Sequence, residues 1–228
     1  MDLFPFYMTL VSTFATSAIA LYAFVRSFLN YRESLIPSSF YLSMFFLAFS
    51  INHLAMALRA FTGLDLMFYD LSNIFGPMAL VFITAFAVSL IRPGKEKYSF
   101  IFSVPMYFIF LGSSFFTERG VETFYPGVSE VVYPVSYMVI TILTVTVLGF
   151  FVSFVFFFYS FNVRWSALKR GGMMMASGFL AIAVFTYLFD WPGLFGFLLP
   201  VTRLMAAIGV SLVYLGARMI QRARVPSL

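Results

Sequence analysis

The feature that most constrains this chain is a series of seven apolar stretches separated by short segments with charged or turn-forming residues. Roughly 20 mainly apolar residues in an α-helix cross a bilayer core about 30 Å thick. The composition agrees, because 62% of the residues are hydrophobic and only 10% are charged. The sequence therefore predicts an all-α integral membrane protein, a seven-transmembrane helix bundle that forms one domain over 1–228. The predicted spans are about 5–29, 37–60, 70–91, 98–116, 131–161, 171–189 and 195–220.

The distribution of charge predicts which way the helices run. Cytoplasmic loops of membrane proteins are enriched in Lys and Arg. Alternate connections hold all of the 14 basic residues except Arg59, Arg119 and Arg203, and the opposite connections hold all of the nine acidic residues except Glu33 and Glu96. We therefore expect a cell-membrane protein with its N-terminus outside and its C-terminus in the cytoplasm. The net charge of +5 is then a cytoplasmic rim that faces anionic membrane lipids, and no nucleic-acid partner is expected.

The residue inventory argues against common classes of membrane enzyme. The chain has no Cys and one His, which disfavours thiolate and multi-histidine metal sites. A covalent retinal pigment needs a lysine in its seventh helix, whereas the only lysines here, Lys95, Lys97 and Lys169, lie in predicted loops. No nucleotide-binding motif is present. We expect a protein that is not an enzyme and has no cofactor and no bound metal.

Polar side chains within the predicted spans are few, and such groups often mark functional sites because their burial in lipid is costly. Asn52 and Arg59 are seven residues apart and share one face of the second helix. On the third helix, Asp70 and Asn73 share a face at i, i+3 spacing. We expect these side chains to form an outward-open pocket beneath the acidic segment 117–130. The candidate ligand-binding residues are Asn52, His53, Arg59, Asp70, Asn73, Asp190 and Arg203.

Two interpretations of this set stay open. In the first, the two arginines bind a carboxylate or phosphate group of a ligand. In the second, Arg59 and Arg203 pair with Asp70 and Asp190 and hold the helices in register, or lie in the headgroup region. His53 is then a hydrogen-bonded residue between helices, since no second histidine is present to share a metal.

Small residues at four-residue spacing predict close approach between helices. Such pairs usually pack within a bundle, and a homodimer interface is the alternative. The fifth span has a different character, because eight aromatic residues between Phe150 and Phe161 surround it. This pattern predicts a lipid-exposed surface. The small-residue candidates are Ser12, Thr16, Ala20, Ser177, Ala181, Ala207 and Ser211, with Gly171, Gly172, Gly178, Gly209 and Gly216.

Three segments carry a resemblance to a known family: 21–26, which reads LYAFVR, 40–58 with Asn52 and His53, and Arg170-Gly171-Gly172. Over about 1–221 the chain resembles the seven-helix membrane sensor module at the N-terminus of prokaryotic histidine kinases and related signalling proteins. The resemblance implies the same fold and a sensing role. Eight residues follow Ile220, so we expect no output domain and a signal that passes through another chain.

The sequence thus favours a non-enzymatic sensor or receptor-like protein with an outward-facing polar pocket for a small ligand or lipid, acting through a partner chain. Two alternatives remain, a structural or assembly subunit of a membrane complex and a small-solute transporter. A homodimer, or a partner membrane or cytoplasmic protein, is compatible with each.

Overall fold

A computed structural model of the chain describes residues 3–62, 65–125, 128–164, 166–188 and 198–224. These residues contain seven helices that are long and apolar enough to cross a membrane. The finding indicates a multi-pass membrane protein. The elements are α1 (Phe4–Ser34), α2 (Pro37–Thr62), α3 (Asp65–Ile91), α4 (Lys97–Phe116), β1 (Gly120–Tyr125), β2 (Val128–Val132), α5 (Val135–Asn162), α6 (Ser166–Ala181, continued by a π-helix over Ile182–Leu188) and α7 (Leu199–Arg224).

The helix boundaries differ from the predicted ones at several places; α6, for example, begins at Ser166 instead of 171, and α7 ends at Arg224 instead of 220. The first helix continues to Ser34, where Leu35 ends it with a left-handed φ of 53°. The third helix begins at Asp65, so Asp70 lies inside it. The fifth begins at Val135 instead of 131, because 128–132 is the second strand of an antiparallel hairpin that pairs Gly120 with Val132. An apolar strand next to a span looks like more of the same helix in a hydropathy pattern.

The helices pack as a ring, in which α1 contacts α2 and α7, α3 contacts α2 and α5, and α6 contacts α5 and α7. The remaining helix, α4, packs on α3 and on the first half of α5. Since consecutive helices are joined by short connections, the start of α1, the end of α2, the start of α3 and the β1–β2 hairpin lie together at one end of the bundle, called the hairpin end. The opposite end, which carries most of the Lys and Arg residues, is the basic end.

Phenylalanine rings fill the centre of the bundle. Phe45 and Phe49 of α2 stack at a centroid distance of 5.6 Å, and Phe45 meets Phe179 of α6 at 5.6 Å. Phe156 of α5 lies 5.3 Å from Phe179 and 5.8 Å from Phe86 of α3. These contacts tie four helices together. The sequence predicted that the aromatic residues of α5 form a lipid-exposed surface. Five of them are exposed on the outside of the bundle: Phe150, Phe151, Phe154, Phe158 and Phe161.

Small residues form two of the helix contacts. Ser17 of α1 donates a hydrogen bond to the Ser50 carbonyl of α2, and Ser50 donates one to the Ser17 carbonyl, each at 3.0 Å. Between α6 and α7, a Cβ added at Gly178 would lie 2.6 Å from the Gly209 carbonyl oxygen. The glycines predicted to mediate close helix approach therefore do so within the bundle. Whether the chain also forms a homodimer stays a prediction.

Candidate functional site

A cavity of about 90 Å³, lined by both polar and apolar side chains, lies among α2, α3, α4, α5 and α6, towards the hairpin end. A cavity of this size holds a few water molecules or a small ligand group. Val131 of β2, a fully buried residue, closes part of its wall. The polar lining consists of Asn52, Tyr69, Ser72, Asn73, Tyr133, Tyr137, Thr141 and Thr186.

The cavity reaches deep into the bundle. Asn52 lies ten residues before the end of α2, which is about 15 Å at 1.5 Å per residue. Gly76 lies 11 residues after the start of α3, a similar depth. Both distances are about half of the roughly 30 Å hydrocarbon core of a bilayer.

Two of the residues predicted from the sequence line the cavity directly, Asn52 and Asn73. The Asn73 amide donates to the Ser114 hydroxyl at 2.8 Å and to the Tyr133 hydroxyl at 3.3 Å. It thereby joins α3 to α4 and to the segment before α5. A Cβ added at Gly76 would lie 3.3 Å from Asn52 Oδ1, so the missing side chain of Gly76 makes room for the Asn52 amide against α3.

The two predicted arginines lie behind residues of the cavity wall. Both are buried, with relative exposures of 4% for Arg59 and 3% for Arg203. The Arg59 guanidinium lies 5.4 Å from the centroid of the Tyr69 ring, a cation–π distance. Arg203 donates from a terminal nitrogen to the Met56 sulfur at 2.8 Å. Since Tyr69 and Met56 both line the cavity, the structure brings the two cations to its wall.

In the structure, Asp70 pairs with a different arginine from the two that the sequence suggested. Asp70 forms an ion pair with Arg119, in the segment that leads into β1. The hydrogen bond that Arg119 donates to the Asp70 carboxylate raises the pKa of Arg119 above its ordinary value, and Tyr133 contributes less. The pairing of Asp70 with Arg59 or Arg203 is therefore not what this structure shows. Asp190 lies outside the described residues, so its place in the pocket stays a prediction.

His53 is fully buried and is not part of the cavity wall. Its Nδ1 lies 3.1 Å from the Phe49 carbonyl oxygen, one helical turn earlier, and its ring packs on Phe49 at 4.3 Å. Among the described residues, Nε2 has no hydrogen-bond partner. The recorded hydrogen bonds of His53 thus lie within α2, whereas the sequence suggested one between helices.

Aromatic residues that the sequence did not single out form one side of the cavity. The Tyr133 and Tyr137 rings stack at 3.9 Å, and Tyr69 lies 5.8 Å from Tyr133. Phe110 of α4 packs on Tyr137 at 5.8 Å. Tyrosines near helix ends resemble the interfacial anchors of any membrane protein, so the sequence contained no signal that would separate these from anchors.

Two π-helical segments meet at the cavity. One is Ile142–Thr146 within α5 and the other is Ile182–Leu188 of α6, and they contact each other. Their residues Val145 and Thr186 line the cavity. The Thr186 side chain is 8% exposed, and its hydroxyl has no hydrogen-bond partner among the described residues. A π-turn inside an α-helix is often found at functional sites, and a buried hydroxyl without a partner is costly unless water or a ligand bonds it.

Comparisons with known proteins returned nothing: no family model, no curated protein and no solved structure matches the chain. The resemblance to kinase-linked sensor modules therefore stays a prediction. What is established is the coarser description, a multi-pass membrane protein with seven candidate transmembrane helices.

Proposed function

We propose that this chain is a non-enzymatic, sensor-like membrane protein that binds a small ligand, or part of a lipid, in the cavity at the hairpin end. In this proposal the hairpin end faces the outside, the C-terminus lies in the cytoplasm and the bound state is passed to a partner chain. The observation that carries the proposal is the cavity, which reaches about halfway into the bundle and is lined in part by Thr186, whose hydroxyl has no hydrogen-bond partner among the described residues.

The cavity wall favours a particular ligand chemistry. The Asn52 amide and the Thr186 hydroxyl offer hydrogen bonds at the inner part, and tyrosine rings form a flat apolar side. A volume of about 90 Å³ limits the bound part to a few non-hydrogen atoms.

A route from the cavity to the basic end is available through α5 and α6. Their π-helical segments contact each other beside the cavity, and both helices continue to the basic end. If α5 and α6 have two arrangements at these segments, a ligand that binds one arrangement more tightly increases the population of that arrangement. A partner chain at the basic end would read that shift.

The test is native mass spectrometry of the gently extracted full chain, which reports low-mass molecules and partner chains that stay bound. Val145→Phe adds a ring at the cavity wall, and we expect it to lower the retained ligand at least tenfold relative to wild type. Leu143→Phe is the matched control, because Leu143 is two residues away on the exposed surface of α5. It should retain the ligand fully.

Overpacking at Val145 can also unfold the bundle, so Thr186→Val serves as a second variant that keeps the shape and removes the hydroxyl. It should weaken retention while the melting temperature stays within a few degrees of wild type. A wild-type protein that retains no ligand would contradict the proposal. Retention of a partner chain in fixed ratio, unaffected by Val145→Phe, would favour the assembly-subunit alternative instead.

A further inference from the structure

A second concave surface lies at the basic end, far from the cavity, between α6 and α7. It is an open groove of about 530 Å³ lined by Met173, Met174 and Met219, with Lys169 and Arg170 along its edge. Both basic side chains are exposed. Among the described residues neither forms an ion pair, and the groove lining contains no carboxylate. The groove therefore combines an apolar floor with two available positive charges.

The spacing along α6 orders these groups by depth. Lys169 and Met173 are four residues apart, as are Arg170 and Met174, so each cation lies one turn above a methionine on the same side of the helix. The cations are nearer the helix start at Ser166, which is at the basic end. On α6, charge therefore lies at the outer edge of the groove, and the thioethers of Met173 and Met174 lie about 6 Å further along the helix axis.

The groove is bounded by a close crossing of the two helices. A Cβ added at Gly171 would lie 2.7 Å from the Gly216 carbonyl oxygen, so no side chain fits between the helices at that level. Met174 and Met219 each come three residues after one of these glycines. Because α6 and α7 run in opposite directions, Met174 lies about 4.5 Å from this crossing towards the hairpin end and Met219 about 4.5 Å from it towards the basic end, so the two thioethers flank the crossing. Methionine side chains are unbranched and polarizable, which suits a surface that packs against a variable chain.

We propose that this groove binds one anionic phospholipid from the leaflet at the basic end. Its phosphate lies between Lys169 and Arg170, and one acyl chain runs along the methionines. The order of charge above apolar surface matches the order of headgroup above acyl chain in a membrane leaflet. The proposal is independent of the cavity at the hairpin end, so either can fail without the other.

The experiment measures lipid retention by native mass spectrometry on the full chain, using phosphatidylglycerol and phosphatidylcholine with identical acyl chains. In wild type we expect one phosphatidylglycerol molecule to remain bound after all other lipids have dissociated. The double variant Lys169→Gln/Arg170→Gln should lower the preference for phosphatidylglycerol about 10- to 30-fold, since each surface cation contributes about fivefold to attraction by anionic lipid. The matched control is Lys95→Gln/Lys97→Gln, which removes two exposed cations at the same end, one from the α3–α4 connection and one from the first residue of α4.

Met174→Ser/Met219→Ser tests the apolar floor and should weaken retention of both lipids while leaving the headgroup preference unchanged. If Lys169→Gln/Arg170→Gln and Lys95→Gln/Lys97→Gln lower the preference for phosphatidylglycerol equally, the proposal is overturned. That result would show only a general attraction of anionic lipid to the basic end. Displacement of the retained lipid by an equimolar amount of soluble glycerol phosphate would also overturn it, in favour of a site for soluble anions.

Discussion

The contact between α6 and α7 depends on single glycines whose missing side chains allow the two backbones to meet. A Cβ at Gly178 would lie 2.6 Å from the Gly209 carbonyl oxygen and 2.9 Å from the Val213 amide nitrogen. Backbone atoms cannot move aside as a flexible side chain does, so the two helices would have to separate. Gly112 in α4 is different, because a Cβ there would meet nothing within 4 Å.

This difference predicts opposite effects of the same substitution. Gly178→Ala should lower the free energy of unfolding by about 1 to 3 kcal/mol, the usual cost of overpacking a filled interior. Gly112→Ala should leave it unchanged or raise it by up to about 1 kcal/mol, because alanine stabilises a helix relative to glycine. Reversible unfolding in mixed detergent micelles measures both. Equal effects of the two variants would show that the α6–α7 contact is looser than described.

Residue chemistry alone identified part of the site. Asn52 and Asn73 could be chosen from the sequence because an amide inside an apolar span needs a partner, and both line the cavity. The partner of Asp70 could not be chosen in the same way. Arg119 lies 49 residues away along the chain. In the sequence, several basic residues were equally plausible partners of Asp70, and only the folded position of the hairpin brings Arg119 beside α3.

At the scale of helices, hydropathy located all seven candidate spans but not the faces that meet. A helix in lipid is apolar on every side, so the amphipathic pattern that marks the buried face of a soluble helix is weak. The buried face of α1 is instead marked by Ser12, Thr16 and Ala20, as small-residue spacing predicted. The π-helical segments have no comparable sequence signature.

The π-helical segment of α5 predicts an unusual tolerance to deletion. A π-turn accommodates one more residue than an α-turn, so removing Leu143 should convert it to regular helix while Tyr137 and Phe156 keep their faces. Removing Phe151, in the regular part of α5, should rotate one half of the helix by about 100° against the other. Leu143 and Phe151 are both exposed, so neither deletion removes a core side chain.

We expect the Leu143 deletion to lower the free energy of unfolding by no more than about 1 kcal/mol. The Phe151 deletion should cost more than about 3 kcal/mol, because it displaces core side chains such as Phe156. Unfolding in detergent and the helical circular dichroism signal provide the readout. If the Leu143 deletion is as damaging as the other, the π-segment is required for the fold and is not a local insertion.

For the whole molecule, the unequal ends predict its orientation. All but three of the 14 basic residues lie outside the hairpin end, and positive residues are retained in the cytoplasm. The chain has no native cysteine, which allows a direct test with single-cysteine variants. Glu122→Cys in β1 should react with a membrane-impermeant maleimide in intact cells.

Lys95→Cys, in the α3–α4 connection at the basic end, should react only after the membrane is permeabilised. Glu122 and Lys95 are both exposed, so a difference in labelling reports location instead of burial. The reverse pattern would place the cavity on the cytoplasmic side and would remove the outward-facing part of the proposed function. Labelling of both variants in intact cells would indicate chains inserted in both orientations.

The sequence by itself determined the number and approximate limits of the helices and the unequal charge of the two ends. These properties depend on the composition of each segment and on a fixed rise per residue. Only the tertiary structure decided which faces meet, that Asp70 pairs with Arg119, and that Thr186 and Val131 border one cavity. Such features depend on how each helix is rotated about its own axis relative to its neighbours. A helix in lipid is apolar on every side, so the hydropathy of its sequence does not determine that rotation.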